Sequence, residues 1–262
     1  MTVSAFLILV AIGFFVGGFG ALAGIGGGVI LAPLVALYYG LPMHQAIGIS
    51  LVCVIATSTA TSALFVQQHI TDIRLGMTLE LATTLGALIA ALMARHIDRR
   101  TLAIMFACFL AYSSASMVRK AWTSRKQDEV EPVHDYTVRS YPLGMLASLI
   151  AGGFSGLLGI GGGPIKVPVM YLFMKVPLRV ATATSNFMIG VTAATSAVVY
   201  WLHGDVNITV GAPLVAGVFA GSLLAARIKH RIPEFYILLL LIGVTGWFSA
   251  QMFYKLASGG FR

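Results

Sequence analysis

The sequence predicts an all-α integral membrane protein made of two inverted repeats of five helices, about ten transmembrane segments in all. Three observations predict it: an apolar composition, a duplicated sequence, and glycine-rich breaks at the same place in each copy. Of 262 residues, 58% are hydrophobic and only 10% are charged. A soluble domain carries about 25% charged residues, so the outer surface of this chain must meet lipid.

The net charge of +8 comes largely from short basic clusters between the apolar runs, such as Arg99 and Arg100. Membrane proteins place Lys and Arg at such loops, next to anionic headgroups. We therefore expect a multi-pass protein of the cell (inner) membrane and no nucleic-acid partner. The positive-inside rule favours both termini outside and a cytoplasmic linker, with Arg95, Arg99 and Arg100 as the exception.

The chain contains its own duplicate. Residues 17–28, GGFGALAGIGGG, recur as 152–163, GGFSGLLGIGGG, and the offset between Gly24 and Gly159 is 159 − 24 = 135 residues. At that offset Pro33, Pro42 and Ser50 meet their counterparts Pro168, Pro177 and Ser185. A fixed offset over this length indicates an internal duplication.

Each half reads as the same series of five apolar segments. In the first half they lie near 3–23, 29–40, 45–67, 74–94 and 101–121; in the second, near 142–158, 164–175, 180–202, 208–227 and 234–256. A segment of about 20 residues crosses a hydrocarbon core of about 30 Å. The second segment of each half has only about 12 residues, roughly 18 Å of helix, and reaches about halfway.

These segments predict a first transmembrane repeat at 1–122, a polar linker at 123–140 and a second repeat at 141–262. The linker carries Asp128, Glu129, Glu131 and Asp135. Because each repeat has an odd number of segments, the second should be inverted relative to the first. Inverted repeats with broken helices are the architecture of many secondary transporters.

The two glycine runs are the sharpest local signal. A glycine run between apolar segments breaks a helix, and the freed N–H groups must line a cavity or contact protein because they cannot face lipid. The helix that follows presents a partial positive charge at its N-terminus, which suits an anion. The predicted anion site uses Gly24, Gly26, Gly27 and Gly28 with Gly159, Gly161, Gly162 and Gly163. The alternative is that the glycines only allow close helix packing.

Polar side chains near the breaks extend this site. Lys166 follows the second break, and we expect it either to contact the anion or to reach a membrane surface. Ser50, Ser185 and Asn186 are neutral donors that suit an oxyanion, although Ser and Thr in membranes often bond only to helices.

Glu80 is an acidic residue inside an apolar span, which makes it a candidate for proton coupling or else a carboxylate held near a membrane surface. We expect no catalytic residues, no metal and no cofactor. A catalytic Ser–His pair, an aspartate pair and an H-E-x-x-H motif are missing from the apolar spans. These motifs would mark a membrane-embedded enzyme.

The duplicated G-x-G-G-G run and the P-x-x-x-A-x-x-x-S pattern at Pro42–Ser50 and Pro177–Ser185 resemble the sulfite exporter TauE/SafE family. The likeness covers nearly the whole chain. It implies a transporter, acting mostly outward, for sulfite or a small organosulfur or sulfonate anion. A membrane scaffold or assembly protein is the alternative. We also expect a homodimer, as is common for transporters of this size.

Overall fold

A computed structural model of the chain describes residues 3–124, 136–228 and 234–258. Every regular element in these ranges is a helix, as predicted. The ten described helices are α1 (Val3–Ala23), α2 (Gly28–Tyr38), α3 (Met43–Gln67), α4 (Ile73–Ala94), α5 (Arg99–Ser124), α6 (Tyr141–Leu158), α7 (Gly163–Leu172), α8 (Leu178–Leu202), α9 (Ile208–Ile228) and α10 (Glu234–Ala257). The four acidic residues of the predicted linker lie outside the described residues.

Seven of the described helices are long and apolar enough to cross a membrane: α1, α3, α4, α5, α6, α8 and α9. Their outward surfaces are apolar as well. On α4, for example, Leu81, Leu85 and Ile89 follow one another at one-turn spacing and are all more than half exposed. An outward apolar stripe of this kind marks a surface that contacts lipid or another protein. Together with the seven helices long and apolar enough to span a bilayer, it confirms the prediction of a multi-pass membrane protein.

Two helices are short, and both begin at a glycine break as predicted. Helix α2 has 11 residues and α7 has 10, which correspond to about 16 Å and 15 Å of helix. Neither reaches across a hydrocarbon core of about 30 Å. Each contains the repeated proline, Pro33 or Pro168, in its second turn.

The two repeats share one helical body. Helix α1 of the first half packs on α9 of the second, and the equivalent α6 packs on α4. The central pair α3 and α8 and the outer pair α5 and α10 contact each other directly. Each of these contacts maps onto itself or onto another when the halves are exchanged, so the sequence duplication extends to the packing.

Glycines form the closest of these contacts. On α6, a methyl group at Gly152 would overlap the backbone carbonyl of Thr83, and one at Gly156 would overlap that of Ala87. The equivalent contact is made by α1, where Gly17 lies against the backbone of Val218 on α9. Small residues allow helices in lipid to approach until their backbones touch.

Gly152 and its neighbour Gly153 provide a matched test of this contact. Gly152→Ala should lower the free energy of unfolding by about 1–3 kcal/mol, because its methyl group meets immovable backbone. Gly153 has no atom within 4 Å of its Cβ position, so Gly153→Ala should leave stability unchanged or raise it. Thermal unfolding in detergent measures both, and equal losses would contradict the packing described here.

Candidate functional site

The two breaks adopt the same backbone conformation. The φ angles of Gly24, Gly26 and Gly27 are 73°, 75° and 73°, and those of the equivalent Gly159, Gly161 and Gly162 are 68°, 75° and 74°. Only glycine adopts this left-handed region without strain. The glycines are therefore required for the break itself and not only for close packing.

Each break leaves backbone donors without an acceptor. Within the described ranges, the N–H groups of Gly26 and Gly27, like those of Gly161 and Gly162, donate to no backbone carbonyl. The following helix begins only when Ile30 and Leu31 donate to Gly27, with the same pattern at Gly162. Free donors at a helix N-terminus attract anions.

The breaks touch each other in the centre of the protein. A methyl group on Gly28 would overlap the carbonyl oxygen of Gly159, and one on Gly163 would lie 3.0 Å from that of Gly24. Where the breaks approach most closely, Val54 of α3 packs against both of them, with its counterpart Ile189 of α8. Apolar side chains thus occupy this central contact, and polar groups lie to one side of it.

Ser50 links the breaks at one junction. Its hydroxyl lies 2.8 Å from the carbonyl oxygen of Gly159 and 3.2 Å from that of Gly28, and it donates to them. Since a hydroxyl has one proton, the backbone already uses the donor that the sequence assigned to an anion. Substrate contact by Ser50 stays a prediction, and its observed role is to hold the breaks together.

The equivalent junction keeps its donors free. Ser185 and Asn186 are fully buried, yet in the described structure the Ser185 hydroxyl and both side-chain polar atoms of Asn186 have no hydrogen-bond partner. The Asn186 amide nitrogen lies 3.5 Å from the point where a Cβ atom added to Gly24 would stand, so Asn186 borders the first break. Buried polar groups are nearly always paired, and these unpaired ones suit a bound ligand.

Lys166 and Glu80 form a buried ion pair that sequence reasoning missed. The ammonium lies 3.4 Å from Glu80 Oε2, and the two side chains are 1% and 7% exposed. Lys166 therefore does not extend to a membrane surface. Their opposite charges, isolated in apolar spans, were the signal that a pairing was needed, because an unpaired charge in lipid is unfavourable.

Two threonines complete this network. The Thr192 hydroxyl donates to Glu80 Oε1 at 2.6 Å and accepts from Lys166 at 3.2 Å, and Thr84 donates to the same carboxylate oxygen at 3.1 Å. An ammonium has three N–H groups. Only two acceptors lie within reach among the described residues, so one donor of Lys166 is available to a ligand.

The charged pair joins the two repeats and has no charged counterpart at the equivalent positions. At the offset of 135 residues, the counterparts of Glu80 and Lys166 are Val215 and Leu31. The counterpart of Thr192 is Thr57, and each hydroxyl lies within hydrogen-bond distance of the carbonyl four residues earlier, Cys53 O at 3.2 Å and Met188 O at 3.1 Å. The helices are equivalent, and the charges are an addition to one side of the fold.

A second polar cluster fixes the start of α4 against α8. The amide of Asp72 donates to Thr184 at 3.0 Å, while the Asp72 carboxylate caps Leu75 and accepts from the Tyr136 hydroxyl at 2.6 Å. Burial, with the adjacent Asp72 charge, raises the pKa of Tyr136. The cluster sets the register in which Glu80 meets Thr192.

Comparison with known proteins agrees with this architecture. The model of the family described as "Sulfite exporter TauE/SafE" matches residues 9–252. The chain is 26% identical to "Probable membrane transporter protein YunE" of Bacillus subtilis, over 96% of this chain and 98% of that one. It is 27% identical to a probable membrane transporter protein of Methanocaldococcus jannaschii, over 91% and 92% of the two chains. No solved structure matches.

The chain is a multi-pass helical body in which two helix breaks meet, as in many secondary transporters. Its relatives, matched over almost their whole length, are named probable membrane transporter proteins. Together these findings define a membrane transporter. Within that class, the chain belongs to the sulfite exporter TauE/SafE family. The resemblance inferred from the glycine runs is thereby confirmed.

Replacing Glu80 and Lys166 by the residues at their counterpart positions tests how much the ion pair contributes to stability. Lys166→Leu alone leaves the buried Glu80 carboxylate without a cation and should cost about 3–5 kcal/mol of unfolding free energy. The double variant Glu80→Val, Lys166→Leu copies Val215 and Leu31, and it should be as stable as the parent or more so. Denaturation in detergent compares them; a double variant as unstable as the single one would refute the prediction.

Ser50 and Ser185 differ in the same testable way. Ser50→Ala removes the link between the breaks and should cost about 1–3 kcal/mol, because buried carbonyls lose their donor. Ser185→Ala removes a buried hydroxyl that makes no hydrogen bond, so it should leave stability unchanged or raise it. Thermal unfolding of the two variants measures the difference. A larger loss of stability for Ser185→Ala than for Ser50→Ala would show that the Ser185 hydroxyl makes a hydrogen bond.

Proposed function

We propose that this protein is a secondary transporter that exports sulfite, or a small organosulfur or sulfonate anion, across the cell membrane. The observation that carries the proposal is a set of buried polar groups around the two breaks: one cation and several side chains without a hydrogen-bond partner in the described structure. Lys166 lies in the first turn of α7 with one N–H group unassigned, while Ser185 and Asn186 are buried without partners near the breaks.

The charge of this region favours a small oxyanion. Each short helix contributes about half a positive charge at its N-terminus, and the free amides of Gly26, Gly27, Gly161 and Gly162 are donors only. The Lys166 charge is offset by Glu80. We infer that the anion lies beside the contact between the breaks, on the α8 side, since Val54 and Ile189 fill the contact itself.

The sulfur chemistry of the substrate comes from the family description. Sulfite and sulfonates carry three oxygens around one sulfur, so they accept several hydrogen bonds from a compact set of donors. Neutral donors such as Asn186 and Ser185 suit them, because desolvating a hydroxyl or an amide is easier than desolvating a charge.

Alternating access between inverted repeats is the proposed mechanism. Helix α4 runs parallel to α8, because Asp72, Gly76 and Glu80 meet Thr184, Met188 and Thr192 in that order. Across the short turn that joins them, α3 and α4 run in opposite directions. This supports opposite directions for α3 and its counterpart α8, as an inverted repeat requires.

Export of an anion needs no coupling ion in this scheme. An inside-negative potential favours outward movement by about 2.3 kcal/mol per charge per 100 mV. The breaks, held against each other at Gly28 and Gly163, are the natural place for the two repeats to move relative to one another.

A thermal-shift screen of detergent-purified protein against sulfite, sulfate, sulfoacetate, thiosulfate and small mercapto-acids tests the proposal. A ligand at 100 times its Kd should stabilise the protein by about 2.7 kcal/mol. Asn186→Ala should abolish the shift. Thr195→Ala, which alters an exposed hydroxyl bonded to its own helix, is the control and should keep it. Stabilisation by unrelated solutes alone would contradict the sulfur-anion assignment.

A further inference from the structure

Glu80 and Lys166 suggest how the anion is bound, an inference that rests on the proposed function. We propose that Glu80 is an internal competitor of the transported anion for Lys166. The anion takes the place of the carboxylate at the ammonium, and Glu80 takes up one proton from water as it does so. One anion and one proton then bind together.

Lys166 has two possible anionic partners, the Glu80 carboxylate and the transported anion, and electrostatic repulsion disfavours both being charged at the same time. In the described structure Lys166 has one carboxylate within reach, 3.4 Å away, and both side chains are buried. An anion that bonds to the remaining N–H of Lys166 places a second negative charge beside Glu80 in a medium of low dielectric constant, where repulsion is strong. Protonation of Glu80 removes that repulsion, and Lys166 stays an ammonium throughout.

The surrounding hydroxyls suit both protonation states. As a carboxylate, Glu80 accepts from Thr192 and Thr84 at Oε1 and from Lys166 at Oε2. A proton placed on Oε2 leaves both threonine bonds intact, and it provides a donor toward the anion that has replaced the carboxylate. The exchange therefore breaks only the bond between Lys166 and Glu80.

Other titratable groups lie outside this network. They are Tyr141 of α6, Tyr171 of α7, Arg179 and Tyr200 of α8, and Arg74 and the Asp72–Tyr136 cap of α4 itself. Helices α6 and α8 pack on α4. Helix α7 meets α4 through Lys166, the titratable group within hydrogen-bond distance of Glu80 in the described structure. Glu80 is thus the group whose protonation follows anion binding.

The one-sided placement of the pair argues for a function. When the two repeats are exchanged, the counterparts of Glu80 and Lys166 are Val215 and Leu31, so the fold itself does not need charges at such a position. A buried ion pair contributes little to stability compared with apolar residues. What the pair adds is a charge balance that an incoming anion must change.

Co-binding of a proton also decides what moves across the membrane. A divalent anion travels with one net negative charge, so an inside-negative potential still favours export. A monovalent anion travels with none, and its direction follows its own gradient and that of protons.

The test is the pH dependence of anion binding, measured with sulfate and methanesulfonate, whose charges are constant between about pH 5.5 and 7.5. Wild-type affinity should rise about tenfold for each unit of decrease in pH, the linkage expected for one co-bound proton. Glu80→Gln imitates the protonated side chain, so its Kd should be the same at both ends of this range and lower than the wild-type Kd at the upper end. The double variant Glu80→Val, Lys166→Leu should not bind the anions at either end.

A second measurement uses the wild-type protein alone and does not depend on variant folding. Adding methanesulfonate or sulfate to the protein in weak buffer should raise the pH of the solution. The size of the rise should correspond to about one proton taken up per anion bound. Binding without proton uptake, or equal pH dependence in wild type and Glu80→Gln, would overturn the coupling while leaving the anion site in place. Failure of both anions to bind either protein would overturn the coupling and the anion site together.

Discussion

Backbone N–H and C=O groups must find partners inside a membrane, and the rest of this structure depends on that constraint. Each repeat breaks its polypeptide at a glycine run and releases N–H groups there. The breaks are placed against each other and enclosed by α1, α3, α6 and α8. Ser50 then bridges the carbonyls of Gly28 and Gly159. One arrangement thus leaves the N–H groups of the breaks free and keeps them away from lipid.

The arrangement is symmetric in its backbone and asymmetric in its chemistry. The φ angles of the two breaks agree within a few degrees, and Thr57 and Thr192 make equivalent bonds. The charges of Glu80 and Lys166 and the free hydroxyl of Ser185 appear on one side only. In the proposed transporter, the duplicated scaffold would form the pathway, and the residues that differ between its copies would select the anion.

Sequence reasoning predicted the helices, the short α2 and α7 and the family, because hydrophobic length and a repeated glycine run are local signals. It also identified Lys166 and Glu80 as unusual. It did not pair them, since they are 86 positions apart and on different repeats. Nor did it distinguish Ser50 from Ser185, which have the same place in the repeat. Their difference depends on carbonyl positions that only the packed breaks define.

The packing of α1 on α9 and of α4 on α6 also bears on how the protein is made. The small-residue face of α1 is made before its partner surface at Leu214 and Val218, which is synthesised about 200 residues later. At about 5–20 residues per second, that face waits for at least ten seconds. Assembly is therefore completed only when the second half has been inserted, and biogenesis must shield an unfinished first half until then.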